Sequence, residues 1–545
     1  MSKASWLVAG LLASMGAAAA DYRNPILFAD YSDPDVIRVG DRYFMTASSF
    51  HFSPGLPLLE SRDLVHWTLI GHALPKLSFD PKYDLPGPLG FSDGSERARF
   101  FAEMGHRYSA GVWAPAIRHH KGRFYIYFPT PTEGIFMVSA KQPEGPWTAP
   151  VAVMAEPKLE DPCPFWDDDG KAYLIHSRVG AGPLILHRMS GDGTRVLDAG
   201  KVIVEDAVNL PVLEGPKLLK RNGWYYIFAP YGGVEKGPQA VLRSKNLYGP
   251  YEFRTVLAQG NTQVQAPHQG GYVETPKGEG WFLHFNSTGA YGRIVHLQPV
   301  RWVDDWPVIG DAIADSTTTG QPVMTHAAPD VGRTYPTVFI PTSDEFTSAP
   351  LGVQWEWNHN PQDSNWGLKD GRLYLRAMRA ADFVAARNTL TQILHGPSTT
   401  ITTRMLVGDM SDGQRAGLGV LQVQPNWIGV VQTAGVRRIT WSSAGAQIAG
   451  PVVPPFFGVR VRNLGGSQVE TAMNDVSSVL LRLSIADEQV SYEYSIDGGE
   501  AFVPLGQKVK LRFSWWKGAR PALFSFNLDA DTGTAGFDWV HVEPR

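Results

Sequence analysis

A five-fold repeat constrains this chain more than any other feature. A glycine followed by an aromatic, strand-forming run recurs at Gly40-Asp41-Arg42-Tyr43-Phe44-Met45, Gly122-Arg123-Phe124-Tyr125-Ile126-Tyr127, Gly170-Lys171-Ala172-Tyr173-Leu174-Ile175, Gly223-Trp224-Tyr225-Tyr226-Ile227-Phe228 and Gly280-Trp281-Phe282-Leu283-His284-Phe285. The glycines stand 82, 48, 53 and 57 residues apart. In several copies a second strand follows and ends in an aromatic turn, as in Arg62-Asp63-Leu64-Val65-His66-Trp67, Glu144-Gly145-Pro146-Trp147 and Tyr248-Gly249-Pro250-Tyr251. Asp168-Asp169-Gly170 and Arg221-Asn222-Gly223 sit where a tight hairpin needs φ > 0. Amphipathic helix is scarce. The period and the strand alternation predict a five-bladed β-propeller over residues 21–310. The wide first interval predicts an insertion at residues 76–110.

A propeller brings its innermost strands to one axis, so residues far apart in sequence converge there. Three acids precede Gly-aromatic units in comparable places: Asp33 in Tyr31-Ser32-Asp33-Pro34-Asp35, Asp161 in Glu160-Asp161-Pro162-Cys163-Pro164, and Glu214 in Leu213-Glu214-Gly215-Pro216. Taken singly, each is the composition of a turn or a loop acid. Taken together they are a ring of inward-pointing carboxylates. Such a set suits glycosidic cleavage, where one carboxylic acid protonates the leaving oxygen and another activates water or attacks the sugar. The polar turn around Asp33 suits an ionised base. The apolar run 208–213 before Glu214 predicts desolvation that favours a proton donor, and Asp161 can assist by like-charge repulsion.

The repeat stops near residue 311. Residues 311–340 are rich in Thr, Pro, Ala and Asp and read as a linker or surface strap. Residues 341–545 alternate without the Gly-aromatic period, at Arg372-Leu373-Tyr374-Leu375-Arg376, Thr400-Ile401-Thr402-Thr403-Arg404-Met405, Phe457-Gly458-Val459-Arg460-Val461-Arg462, Val490-Ser491-Tyr492-Glu493-Tyr494-Ser495 and Phe537-Asp538-Trp539-Val540-His541-Val542. They predict a β-sandwich, which makes the whole chain all-β.

Composition narrows the partners. A net charge of −4 with no basic run disfavours nucleic acid and anionic membrane surfaces. Residues 1–20 carry Lys3, an apolar stretch and Ala17-Ala18-Ala19-Ala20, the pattern of a secretory signal peptide, so a periplasmic or secreted protein is expected. The single cysteine, Cys163, excludes an intramolecular disulfide and reads as a small buried hydrophobe. No Gly-x-Ser-x-Gly stretch is present for a serine hydrolase. Asp167-Asp168-Asp169-Gly170 lacks the ligand alternation of a calcium loop and reads as a hairpin turn. Arg293 is placed to meet substrate oxygens or an inner-ring carboxylate. His268, flanked by glycines on an expected inner strand, is a core histidine or a ligand.

Several ordered motifs over residues 24–310 resemble glycoside hydrolase family 43. They are Asn24-Pro25-Ile26-Leu27 through Ser32-Asp33-Pro34-Asp35, Val39-Gly40-Asp41-Arg42-Tyr43, Ser61-Arg62-Asp63-Leu64-Val65-His66-Trp67, Val112-Trp113-Ala114-Pro115, Asp161-Pro162-Cys163-Pro164-Phe165 and Glu214-Gly215-Pro216. The resemblance implies a five-bladed propeller and inverting hydrolysis, with Asp33 as general base, Glu214 as general acid and Asp161 as the acid that tunes and orients the donor. It places Trp113, Phe50 and Arg293 among sugar-contacting residues, and His268 beside a metal ion, often Ca2+, at the propeller centre. Tyr31-Ser32 stands where the family commonly has His-Pro, which alters the subsite wall. Ser343-Asp344-Glu345-Phe346 and Gly536-Phe537-Asp538-Trp539 resemble the concanavalin-like sandwich of the xylosidase and arabinofuranosidase branch. An exo-acting enzyme releasing terminal α-L-arabinofuranosyl or β-D-xylosyl units is implied, the first ranked ahead. Its substrates would be plant cell-wall oligosaccharides from arabinoxylan, arabinan or xyloglucan. The alternatives are an endo-arabinanase, which needs an open groove, and a non-catalytic carbohydrate-binding protein.

Overall fold

The computed structural model describes residues 21–85, 107–314, 316–443, 446–451, 459–463, 466–473 and 476–544. The expected leader (1–20), most of the predicted insertion, and Phe457 and Gly458 lie outside the described residues. Among the described residues there are strands and short 3-10 turns, and no α-helix.

Five antiparallel sheets form the propeller. Blade one holds Asp35–Val39, Arg42–Thr46, Gly55–Ser61 and Trp67–Leu74; blade two Ala116–His120, Arg123–Thr130, Gly134–Ala140 and Val151–Met154. Blade three holds Leu159–Trp166, Ala172–Arg178, Leu184–Met189 and Lys201–Val204. Blade four holds Lys217–Arg221, Trp224–Pro230, Gln239–Ser244 and Glu252–Leu257, and blade five His268–Glu274, Gly280–Ser287, Arg293–Val303 and Trp306–Ile309. The Gly-aromatic unit is the first hairpin of each blade. At Asn222-Gly223 both residues have positive φ (50° and 70°), the geometry of a two-residue hairpin turn that matches strand twist.

The repeated aromatics fill the seams between blades. Phe44 meets Phe124 edge-on at 5.2 Å between blades one and two, and Phe228 stacks on Phe282 at 5.8 Å between blades four and five. Each such ring, buried from water, contributes about 1.5–3 kcal/mol. The seam between blades five and one is reinforced by the N-terminal segment. Asn24 Nδ2 donates to Leu297 O and Val323 O, and Leu27 pairs with Val295.

Residues 311–340 are a strap. Asp311–Ala312 and Gly320–Gln321 extend the outer edge of blade four, and Thr325–Ala327 pairs with Asp21–Arg23. Beyond it two sheets stack as a sandwich around Trp355, Trp357, Leu418, Ile428, Leu481 and Phe537. The expected sandwich strands appear within Arg372–Arg376, Thr399–Leu406, Gln489–Ser495 and Thr534–Pro544. One sandwich sheet crosses the domain boundary: its edge strand is Phe52–Ser53 of the propeller, paired with Glu356–Asn358. The described part of the insertion also reaches across, since the Tyr108 hydroxyl donates to Val384 O at 2.6 Å.

Candidate active site

The three acids meet at the end of the propeller where the inner strands begin. Asp33 lies two residues before the inner strand of blade one, Asp161 lies in that of blade three, and Glu214 precedes that of blade four. The chain is bent to present them. Asp33 and Asp161 have φ of 54° and 55°, and nearby Phe50 and Gln269 have 52° and 39°. Asp161 sits in a bulge, where pairing between Leu159–Trp166 and Ala172–Arg178 shifts register between Glu160 and Cys163. Bulges and left-handed residues re-aim side chains, and each strained residue costs about 1–3 kcal/mol that the surrounding fold must overcome.

Each acid has different partners. Asp33 is buried, with Oδ1 accepting from Arg293 Nη1 at 2.8 Å and Oδ2 from Ser48 Oγ at 2.5 Å. Of the two uses open to Arg293, the structure shows the ion pair with an inner-ring carboxylate. Asp161 Oδ2 accepts from Ser177 Oγ at 3.1 Å and from Gly215 N at 2.9 Å, while Gln269 Nε2 approaches Oδ1 at 3.4 Å. Glu214 Oε1 lies 3.0 Å from His268 Nε2, and its side chain is 17% exposed. Asp161 is thus bonded to the backbone next to Glu214, which ties the two acids together.

Burial, with the Glu214 charge next, pushes the Asp161 carboxyl up to about 6. Glu160, also buried, is raised well above the usual range by burial and then by Asp161 and Glu214. The source of desolvation differs from the sequence expectation. The run 208–213 does not wall off Glu214: Val208 is 88% exposed and Val212 also faces solvent, while Leu210 and Leu213 turn inward. It is the inner strand of blade three that buries carboxylates.

Aromatics gather beside Arg293, the partner of Asp33. Trp113 donates from Nε1 to Ser109 O, and its ring centre lies 6.2 Å from that of Phe50. Phe50 is buried and pairs with Val112. From the sandwich, Trp516 comes within 6.5 Å of Trp113 and 5.7 Å of the Arg293 guanidinium, with Phe513 at 5.9 Å from the latter. Sequence reasoning missed Ser48, Ser177, Gln269, Glu160 and the 513–518 loop. The adjacent pair Trp515-Trp516 is the one local signal that could have drawn attention to that loop.

Oxygens of Glu160, Asp161 and Glu214 lie within 4.8 Å of one another and could hold a cation. His268 is fully buried; its Nε2 faces Glu214, and its Nδ1 has no hydrogen-bond partner among the described residues. Cys163 is buried as expected, yet its Sγ accepts from Arg118 Nη2 at 2.9 Å. Asp167-Asp168-Asp169-Gly170 is a hairpin turn whose Asp167 pairs with Lys220.

Comparison with known sequences decides the family. The model of glycosyl hydrolases family 43 matches residues 22–84 and 94–307, which contain all three acids. The chain belongs to glycoside hydrolase family 43. It is a glycoside hydrolase, and enzymes of this family invert. A second match, to the beta xylosidase C-terminal concanavalin A-like domain, covers residues 343–543. A putative beta-xylosidase of Xylanibacter ruminicola is 46% identical over 72% of this chain and 70% of its own length. A beta-xylosidase of Formosa agariphila is 33% identical over 95% and 89%. A non-reducing end alpha-L-arabinofuranosidase of Bacteroides ovatus is 31% identical over 67% and 66%. Among solved structures, a bifunctional family 43 protein of Bacteroides eggerthii superposes with a TM-score of 0.80 at 29% identity, over 97% of this chain and 64% of that one. An engineered family 43 enzyme with endo-xylanase and exo-arabinofuranosidase activity gives 0.80 at 27%, over 96% and 100%.

Proposed function

We propose that the chain is an exported, exo-acting glycosidase in which Asp33 is the general base and Glu214 the general acid. The observation that carries this reading is the contrast between their partners. Asp33 is held by a guanidinium and a hydroxyl, which fix its carboxylate in one place for taking a proton from water. Glu214 keeps part of its side chain open to solvent and has buried carboxyls beside it. Asp161 fixes the Glu214 backbone through Gly215 N. Trp113 and Phe50 line the sugar site. Arg293 serves it through Asp33.

The sugar is proposed as terminal β-D-xylosyl ahead of α-L-arabinofuranosyl, reversing the order ranked from sequence motifs. The relatives at 46% and 33% identity carry the xylosidase name. The substrates are plant cell-wall oligosaccharides. Exo action is supported by the sandwich loop, whose Trp516 stands close to Trp113. That loop also disfavours the open groove of an endo-arabinanase.

Calcium at the propeller centre is a poorer proposal. Calcium takes six to eight oxygens, whereas the free donor of His268 is a nitrogen and the carboxylate cluster is the proposed catalytic set.

The test is hydrolysis of 4-nitrophenyl β-D-xylopyranoside and α-L-arabinofuranoside. Faster release from the xyloside supports the assignment, and release from neither overturns the exo-pentosidase reading. Glu214→Gln separates catalysis from mere binding, since it should sharply lower turnover of xylo-oligosaccharides and leave sugar affinity in place.

A further inference from the structure

Asp30 lies three residues before Asp33 and is 2% exposed. Its carboxylate is saturated. Oδ1 accepts from Ser32 Oγ at 2.8 Å and from Arg293 N at 3.0 Å. Oδ2 accepts from Gly518 N at 2.7 Å and lies 3.3 Å from Lys517 Nζ. Lys517, from the sandwich, is also 2% exposed and donates to Asp30 O at 3.1 Å and to Ser48 O at 3.2 Å.

The targets of these bonds are selective. Two side chains hold the Asp33 carboxylate, those of Arg293 and Ser48. The ion pair grips the backbone of both: Asp30 takes the N–H of Arg293, and Lys517 takes the carbonyl of Ser48. The joint has no slack. A Cβ added at Gly292 would come within 2.4 Å of Asp30 Cγ, and one at Gly518 within 2.8 Å of Ala290 O. A buried ion pair is a weak stabiliser beside an apolar pair of the same volume, because desolvation offsets most of the attraction. Stability alone therefore gives little reason for this pair to stand here.

We infer that Asp30 and Lys517 are a positioning pair, through which the sandwich sets the place of the Asp33 carboxylate by way of Ser48 and Arg293. This rests on Asp33 being the base. Strained backbone at Asp33 and Phe50, with positive φ, needs such over-determination to persist. A displacement of about 1 Å at a reacting group costs on the order of 100-fold in rate.

The experiment compares Asp30→Asn, Lys517→Met, their double variant and Lys517→Arg in the full-length enzyme, beside Asp33→Ala. Readouts are kcat, KM, the pH profile of kcat and the thermal midpoint, with 4-nitrophenyl β-D-xylopyranoside as substrate. The expected result for Asp30→Asn and Lys517→Met is a fall in kcat of about 10- to 100-fold, little change in KM, and an acid limb moved to higher pH. The double variant should be scarcely worse than either single one, as for residues acting as a unit. Lys517→Arg, which keeps the cation, should restore part of kcat and the wild-type acid limb. Should Asp30→Asn fail to fold, the Met and Arg variants decide alone, and equal kcat in those two overturns the inference. A wild-type kcat and pH profile in the folded variants, whatever their midpoints, overturns it as well. If Asp33→Ala keeps the wild-type rate, the base assignment fails instead.

Discussion

At Glu214 the chemistry can be separated from the packing by changing the leaving group. A general acid matters most when the departing oxygen is a poor leaving group, as in a xylo-oligosaccharide, and least when it is an acidic phenol. Glu214→Gln should therefore lose about 10²–10⁴-fold in kcat on xylobiose, and distinctly less on the 4-nitrophenyl glycoside. An equal loss on both would contradict the donor role. Asp161 offers a second test, because burial and the Glu214 charge hold its carboxyl at about 6 against an ordinary 3.8. The folded state keeps that proton to higher pH than the unfolded chain, so stability falls as pH rises from 3.8 through about 6. Asp161→Asn removes that cost. Above this window the variant should melt a few degrees higher than wild type, with the gap closing toward the acid end, while kcat drops. All three acids were legible because each lies in a distinctive motif at the edge of a repeat. Glu160 was not legible, because its burial beside Asp161 and Glu214 arises only on folding. Ser48, Ser177 and Gln269 carry no local signature, since their importance comes only from what folding places opposite them.

At the scale of elements, the hairpins were legible and the strained turns were not. Gly-aromatic runs encode strand pairs by alternation and by glycine in the turn, and the same residues prove to fill the interblade seams. The loop that reaches from the sandwich to the site breaks those rules. Ser514 and Lys517 pair across a two-residue turn whose central residues, Trp515 and Trp516, have φ of 52° and 65°. Asn-Gly is the usual choice there, because side chains with bulk resist positive φ. Trp515 is buried among Phe52, Tyr108 and Phe524, which accounts for one of the two. Trp516 is only partly buried and stands over Arg293 and near Trp113. Trp516→Gly should leave the melting temperature unchanged or raised, because strain is relieved, and should lower kcat/KM by about tenfold, the loss of one aromatic contact of about 1–1.5 kcal/mol. A marked fall in melting temperature with unchanged kinetics would make Trp516 a packing residue.

At the scale of the whole molecule, the sandwich is bonded into the propeller. Sequence periodicity divides the chain near residue 311, and nothing in the strand pattern shows that Phe52–Ser53 completes a sandwich sheet. That pairing joins segments about 300 residues apart, and only tertiary structure reports it. Beside it, Glu356 of the sandwich binds Arg520 at 2.7 Å and His72 of blade one at 3.1 Å. Burial alone would raise the Glu356 carboxyl, but Arg520, His72 and Lys517 outweigh it and hold it at about 2. Its folded value is depressed, so its contribution is present above the ordinary 4.5 and is lost as pH falls through about 2. Glu356→Gln should cost about 3–5 kcal/mol near neutral pH, the penalty for leaving Arg520 buried without its partner. The midpoint in chemical denaturation should fall accordingly, and the deficit should narrow in acid. A deficit independent of pH would show that the charge of Glu356 is not what joins the domains.

The most direct measurement is the anomer first released from a β-D-xyloside, followed by proton NMR before mutarotation, in wild type and in Asp33→Ala. The account predicts α-D-xylose as the first product and its disappearance in the variant. Initial release of β-D-xylose, or undiminished turnover without the Asp33 carboxylate, would contradict it.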